Sequence, residues 1–138
     1  MLQLPQRLPK RIALLLLATF FVAAGINHFA NPDFYVRIMP PYLPAHLELV
    51  YLSGVLEALG GLAVLIPRIR GLAGWGLILL LLAVYPANLH MALHPELFPS
   101  MSTLALYARL PLQFVLIAWA YWATRPDTLA GTGQRAAV

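Results

Sequence analysis

Four apolar runs, each close to the ~20 residues that a helix at 1.5 Å rise per residue needs to cross a bilayer, decide what this chain can become. They cover about 12–30, 46–66, 71–93 and 103–123 of 138 residues. With 61% hydrophobic and 10% charged residues, a water-soluble domain of this length could not hide its apolar surface, whereas a bilayer accepts it. The expected fold is therefore all-α: an integral membrane four-helix bundle, one transmembrane domain over 1–138, in lasting contact with lipid.

Local signals place the ends. Pro40, Pro41 and Pro44 precede the second run and Pro67 closes it; His94 and Pro95 end the third. Ser100 or Ser102 is expected to cap the fourth, and Arg125 with Pro126 to stop it. The tail over 126–138 is small and polar and is expected to be disordered. Arg7, Lys10 and Arg11 before the first run also suit a secretory signal peptide cleaved near Ala23, Ala24 and Gly25, but three further spans favour a retained helix.

Charge sets the orientation. Arg7, Lys10, Arg11, Arg68, Arg70, Arg125 and Arg135 flank one side of the spans, and only Arg37 lies in the loops on the other. The positive-inside rule then predicts both termini and the 67–70 turn in the cytoplasm, with the loops at 31–45 and 94–102 outside. Tyr35, Tyr42, Tyr51, Phe98 and Tyr107 crowd that outer boundary, where amphipathic rings prefer to sit. Spread in this way, the basic residues form no patch for nucleic acid. The dominance of Arg over Lys, with abundant Leu and Ala, suits a bacterial chain from a GC-rich genome.

Chemistry is restricted by what is missing. There is no cysteine, so disulfides, thiol catalysis and Cys-ligated zinc or iron–sulfur centres are excluded. No phosphate-binding glycine loop, G-x-S-x-G elbow or H-E-x-x-H motif occurs. His90 and His94 have the i, i+4 spacing of a metal pair, but Pro95 spoils the helix beyond them and no third ligand is supported, so no metal site is expected.

The ionisable groups inside the spans carry the interest, because each costs of order 2.5–3.5 kcal/mol on insertion scales and needs a partner or a function. Glu57 lies ~16 Å along the second span, near the bilayer midplane. Ser53, Gly54, Glu57, Gly60 and Gly61 form one small and polar stripe that should face other helices. Arg109 and Gln113 share a face of the fourth span, Arg109 as the natural counter-ion of Glu57. Tyr85, Asn88 and His90 sit at the outer end of the third span, where Pro86 frees a carbonyl, and Asn27 and His28 at that of the first. These eight residues (Asn27, His28, Glu57, Tyr85, Asn88, His90, Arg109 and Gln113) are expected to line one outer-half cavity, with Glu57 and His28 as its proton-handling pair. A plain structural alternative stands beside five of them: a buried paired carboxylate for Glu57, a helix-end cap for His28, interhelical hydrogen bonds for Asn88 and Gln113, and core packing for Tyr85. Asn27-His28-Phe29 with Pro32-Asp33-Phe34 is faintly repeated in Asn88-Leu89-His90 with Pro95-Glu96-Leu97-Phe98, which would relate two hairpins by a pseudo-twofold. Gly71, Gly74 and Gly76 permit a homodimer.

Over about 12–123 the chain resembles the DoxX family. The carriers are Ala24-Gly25-Ile26-Asn27-His28-Phe29 with Asn31 and Pro32; Ile38-Met39-Pro40-Pro41-Tyr42-Leu43-Pro44; Ser53-Gly54-Val55-Leu56-Glu57 with Gly60 and Gly61; and Tyr85-Pro86-Ala87-Asn88. The resemblance implies a four-helix bacterial inner-membrane protein with His28, Glu57 and Asn88 in its polar core. It also implies a link to quinone-coupled oxidation or to redox-stress complexes with soluble partners. The expected function is binding of a small amphipathic or lipid-like ligand such as a quinone, as a subunit or accessory of a membrane redox system. No intrinsic cofactor is expected, and electrons would come from a soluble or membrane redox partner. The alternatives are a non-catalytic scaffold, anchor or assembly chaperone whose proline-rich loop docks a partner, and a small transporter acting as an oligomer.

Overall fold

The computed structural model describes residues 4–126. It is all-helical, with no strand among the described residues and five α-helices. These are α1 (Leu8–Ala30), α2 (Pro32–Ile38), α3 (His46–Ala63), α4 (Arg70–Leu93) and α5 (Thr103–Thr124), with a 3₁₀ turn at Pro95–Leu97. Helices α1, α4 and α5, of 23, 24 and 22 residues, are long and apolar enough to cross a membrane. Exposed leucines, Leu16 on α1, Leu72 and Leu79 on α4 and Leu104 on α5, are compatible with contact with lipid. The expectation for the tail falls on residues of which only Pro126 is described.

The ends follow local chemistry. Helix α1 starts before the expected residue 12 because Pro9 suits a first turn, so Lys10 and Arg11 lie inside the helix. Ser102 caps α5, its hydroxyl accepting from the Ala105 amide at 3.2 Å. The second expected run yields a helix of 18 residues that stops at Ala63 rather than 66. Gly60 and Gly61 weaken its last turn, and tighter turns follow in which Leu65 donates to Leu62 and Ile66 to Ala63. With Glu48 and Glu57 in it, α3 is not among the helices long and apolar enough to span.

The 31–45 segment, expected as a loop, folds its first half into α2. Pro32 stands at the start of that helix and Asp33 in its first turn, both favoured there, and it ends at Met39 before Pro40. Ala45 enters α3 with φ of 49°, the sole non-glycine positive φ among the described residues. A Cβ in this conformation costs about 1 kcal/mol, so Ala45→Gly is expected to raise the midpoint of thermal unfolding by a few degrees. A midpoint that falls in the same detergent would refute this.

Helix α3 packs most closely on α1, α4 packs on α5, and weaker α3–α4 and α1–α5 contacts close the ring. At Gly25 a Cβ would lie 2.5 Å from the Gly54 carbonyl oxygen; at Gly54 it would lie 2.7 Å from the His28 Cβ. Only glycine permits this approach. The expected stripe on α3 divides: Gly54 and Gly61 meet α1, whereas Gly60 meets Leu77 of α4. Two separate cores result. One, near the 64–69 turn, gathers Leu14, Leu17, Phe21, Val64, Leu77 and Leu81 with α5 residues Ala120 and Ala123. The other, at the α2 end, gathers Ile38, Met91, Phe98 and Leu106. Between them the bundle is not filled.

Candidate functional site

That unfilled space is a cavity of about 610 Å³. Phe21 and Leu81 of the first core and Ile38 of the second form parts of its wall, so it lies where one packed layer ends and the next begins. Of the eight expected residues, His28, Glu57, Asn88, Arg109 and Gln113 line it. All four long helices contribute to the wall, and α2 closes one end through Tyr35 and Ile38.

On the α1–α3 side, the His28 ring is 6% exposed and its Nδ1 lies 2.9 Å from the Val50 carbonyl oxygen. A carbonyl only accepts, so Nδ1 carries a hydrogen and donates. The other ring nitrogen, Nε2, then faces Glu57 Oε1 at 3.6 Å. Two lone pairs would repel here, so the pair is satisfied by a proton held on either the imidazole or the carboxyl group. Tyr35 of α2 stacks on the His28 ring, with centroids 3.8 Å apart and planes inclined by 23°. Glu57, 9% exposed, has no hydrogen-bond partner for Oε2, and neither has the buried hydroxyl of Ser53 one turn before it.

On the α4–α5 side, Arg109 Nε donates to Asn88 Oδ1 at 3.1 Å, and Asn88 Nδ2 donates to Gln113 Oε1. Gln113, 3% exposed, in turn donates to the Leu81 carbonyl oxygen. Proline 86 was expected to free a carbonyl in this stretch; the amide of Gln113 reaches the backbone one residue before Leu82, whose usual partner would be the missing N–H of Pro86. Arg109 is thus not the counter-ion of Glu57: its hydrogen bond goes to Asn88, and the ion-pair neighbour of Glu57 is His28. Its N-terminal lean takes the guanidinium toward Asn88, one helix away from the carboxylate.

Three expected residues do not line the cavity. Asn27 donates from Nδ2 to the Tyr35 hydroxyl at 2.8 Å and accepts from Asn31 Nδ2 at 2.7 Å, which fixes the α1–α2 corner. Tyr85 packs against Phe114, ring centroids 5.8 Å apart. His90 lies against His94, ring centroids 4.6 Å apart, and His94 Nδ1 is 3.2 Å from Glu96 Oε1. The Glu96 carboxyl, outside the helices, is held below the usual range by its own backbone N–H and by His94. Among the described residues no group of three or more His, Cys, Asp and Glu could hold a metal ion.

Sequence reasoning missed Tyr35 as a wall residue and ranked Ser53 only as part of a packing stripe. The i, i+4 relation of Ser53 to Glu57 was a usable signal, since it puts a hydroxyl on the face of the carboxylate. Tyr35 carried none, because its position depends on α2. The arrangement offers two polar clusters across an otherwise apolar chamber: a proton-sharing acid with one unpartnered oxygen, and an Arg–Asn–Gln chain of hydrogen bonds. It can hold a flat head group that accepts hydrogen bonds at one edge and exchanges a proton at the other.

Residues 17–124 match the model of a family described as a domain of unknown function, DUF8561. No curated protein and no solved structure matches the chain.

Proposed function

We propose that this chain, which belongs to the DUF8561 family of domains of unknown function, is a DoxX-like four-span protein of the bacterial inner membrane that binds a quinone or a similar small amphipathic molecule. In this reading α3 completes the bundle as the fourth span, the termini are cytoplasmic, and the cavity opens toward the outer half of the bilayer. Excess basic residues beside the termini and the 67–70 turn support the orientation.

One observation carries the ligand: the buried, unpartnered Glu57 Oε2 and Ser53 hydroxyl on the wall of a 610 Å³ cavity. Buried polar atoms without partners are costly, by about 1–3 kcal/mol each, and a bound group or water that completes them removes that cost. A quinol hydroxyl can donate to Glu57 Oε2 and pass its proton to the Glu57–His28 pair; on the opposite edge, Arg109 and the Asn88 amide can hold the second oxygen. Electrons would pass to or from a redox partner, while this chain supplies binding, orientation and the proton. The resemblance of His28, Glu57 and Asn88 to the DoxX polar core agrees with these roles.

The test is binding of decylubiquinol, kept reduced under anaerobic conditions, to the purified chain in phosphatidylcholine nanodiscs, followed by quenching of tryptophan fluorescence. Glu57→Gln keeps the shape and removes the acid, so Kd is expected to rise about 10- to 100-fold, the worth of one charge-assisted hydrogen bond. Unchanged affinity together with a higher melting temperature would mean that the carboxylate is only a structural burden, and would favour the scaffold reading.

A further inference from the structure

A second hollow meets the first. Between α3 and α4 an apolar groove of about 460 Å³ is lined by Leu59, Gly60 and Ala63 on one side and by Ala73, Gly76 and Leu79 on the other. Leu56, Leu80 and Ala83 belong to the walls of both spaces, so the groove is continuous with the polar cavity. On α3 its residues recur at i, i+3, i+4 and i+7, one face of a helix, and from Ala83 to Ala73 the α4 wall runs about 15 Å toward the 64–69 turn. The groove exists because small side chains face each other there. A Cβ at Gly76 would meet nothing within 4 Å, and Leu79 on the rim is 64% exposed.

We infer that this groove seats the apolar tail of the ligand whose head group occupies the cavity, so that the binding site runs lengthwise between α3 and α4 and opens sideways into the bilayer. The inference rests on the ligand reading above and adds the ligand class: a polar ring on a chain of isoprenoid or alkyl type. Three observations converge. The polar groups stop where the shared residues begin, so one molecule filling both spaces must be polar at one end and apolar at the other. The groove contains no charged or hydrogen-bonding side chain, so it offers a tail dispersion contacts and exclusion from disordered lipid but nothing to a second head group. The α3–α4 contact is also looser than the α1–α3 contact, which leaves a path of approach through the membrane for a ligand that partitions there.

The experiment uses two probes on the full chain in phosphatidylcholine nanodiscs: decylubiquinone, and its dimethoxymethyl-benzoquinone head group without a tail. Gly76→Phe fills the groove from a position with open space around it; Gly71→Phe, also open but outside the groove, is the control. Gly76→Phe is expected to raise the Kd for decylubiquinone about tenfold relative to the control, and to leave the tailless probe within about twofold. Leu79→Ala, which removes a wall side chain without filling anything, is expected to weaken decylubiquinone alone and answers the question if Gly76→Phe does not fold. Equal effects on both probes, or none on decylubiquinone, would overturn the tail assignment while leaving the head-group site standing. Failure of the unsubstituted chain to bind either probe would remove the ligand reading itself and the tail with it. A change in oligomeric state on Gly76→Phe with decylubiquinone binding intact would make the groove a contact between copies and overturn the inference.

Discussion

Gly54→Leu is expected to yield a chain that does not assemble its α1–α3 half. A Cβ at residue 54 would lie 2.7 Å from the His28 Cβ, 2.8 Å from the Gly25 carbonyl oxygen and 2.9 Å from the Phe29 ring. One of these neighbours is backbone, so rotating a side chain cannot make room for even a methyl group. Overpacking in well-packed interiors costs about 1–3 kcal/mol, and here the cost should reach the upper end or exceed it, because the helices must separate along the whole seam from Gly25 to Gly61. Separation also destroys the site, since His28 reaches Val50 and Glu57 only across that seam. The measurement is thermal unfolding followed by circular dichroism in mild detergent, with Gly76→Leu as the comparison. Gly76 faces open space, so its variant should melt near the unsubstituted chain while Gly54→Leu loses the cooperative transition. A Gly54→Leu chain that melts with the others would show that α1 and α3 are not held at this distance.

The same glycines explain what could be read in advance. Long-range architecture was legible because hydropathy alone selects helices: α1, α4 and α5 end within a few residues of the expected bounds. The polar cavity was legible in outline because Glu57, Gln113, Asn88, Arg109 and His28 are too costly to face lipid, so the bundle interior is their common destination. Pairing was not. Opposite charge favoured Arg109 for Glu57, yet rotation about the helix axis decides which neighbour a side chain meets, and the small residues at Gly25 and Gly54 bring α1, with His28, closest to α3. Asn27, Tyr85 and His90 failed for the same reason: each is at the right end of its helix and on the wrong side of it. Helix α2 was illegible for another. Its seven residues are too few to show a hydrophobic period, and the prolines after it suggested loop, while its stability comes from docking Ile38 into the core with Met91, Phe98 and Leu106.

The closeness of His28 and Glu57 makes their energies inseparable, and His28→Leu is the sharpest way to expose this. The leucine removes the basic neighbour of a carboxyl group that is 9% exposed, the hydrogen bond to Val50, and the stacking surface beneath Tyr35. Breaking a buried pair from one side costs about 3 kcal/mol or more, most of it the penalty of a polar group left without compensation rather than the value of the pair. In a chain that already carries Glu57→Leu, that penalty is gone. The same His28→Leu change should then cost only about 1 kcal/mol, the residue of the lost stacking and the lost Val50 bond. A double-mutant cycle on unfolding free energy is therefore expected to return a coupling of about 2 kcal/mol, with the doubly substituted chain more stable than His28→Leu alone. Additive costs would mean that the two groups are neighbours without being partners, and the proton shared between them would have no basis. Should the cycle close as expected while decylubiquinone no longer binds the stable double variant, the acid and the imidazole serve the ligand rather than the fold. A bundle that is more stable with neither group than with the acid alone holds the two as a unit, at the wall where Glu57 Oε2 and the Ser53 hydroxyl have no partner of their own.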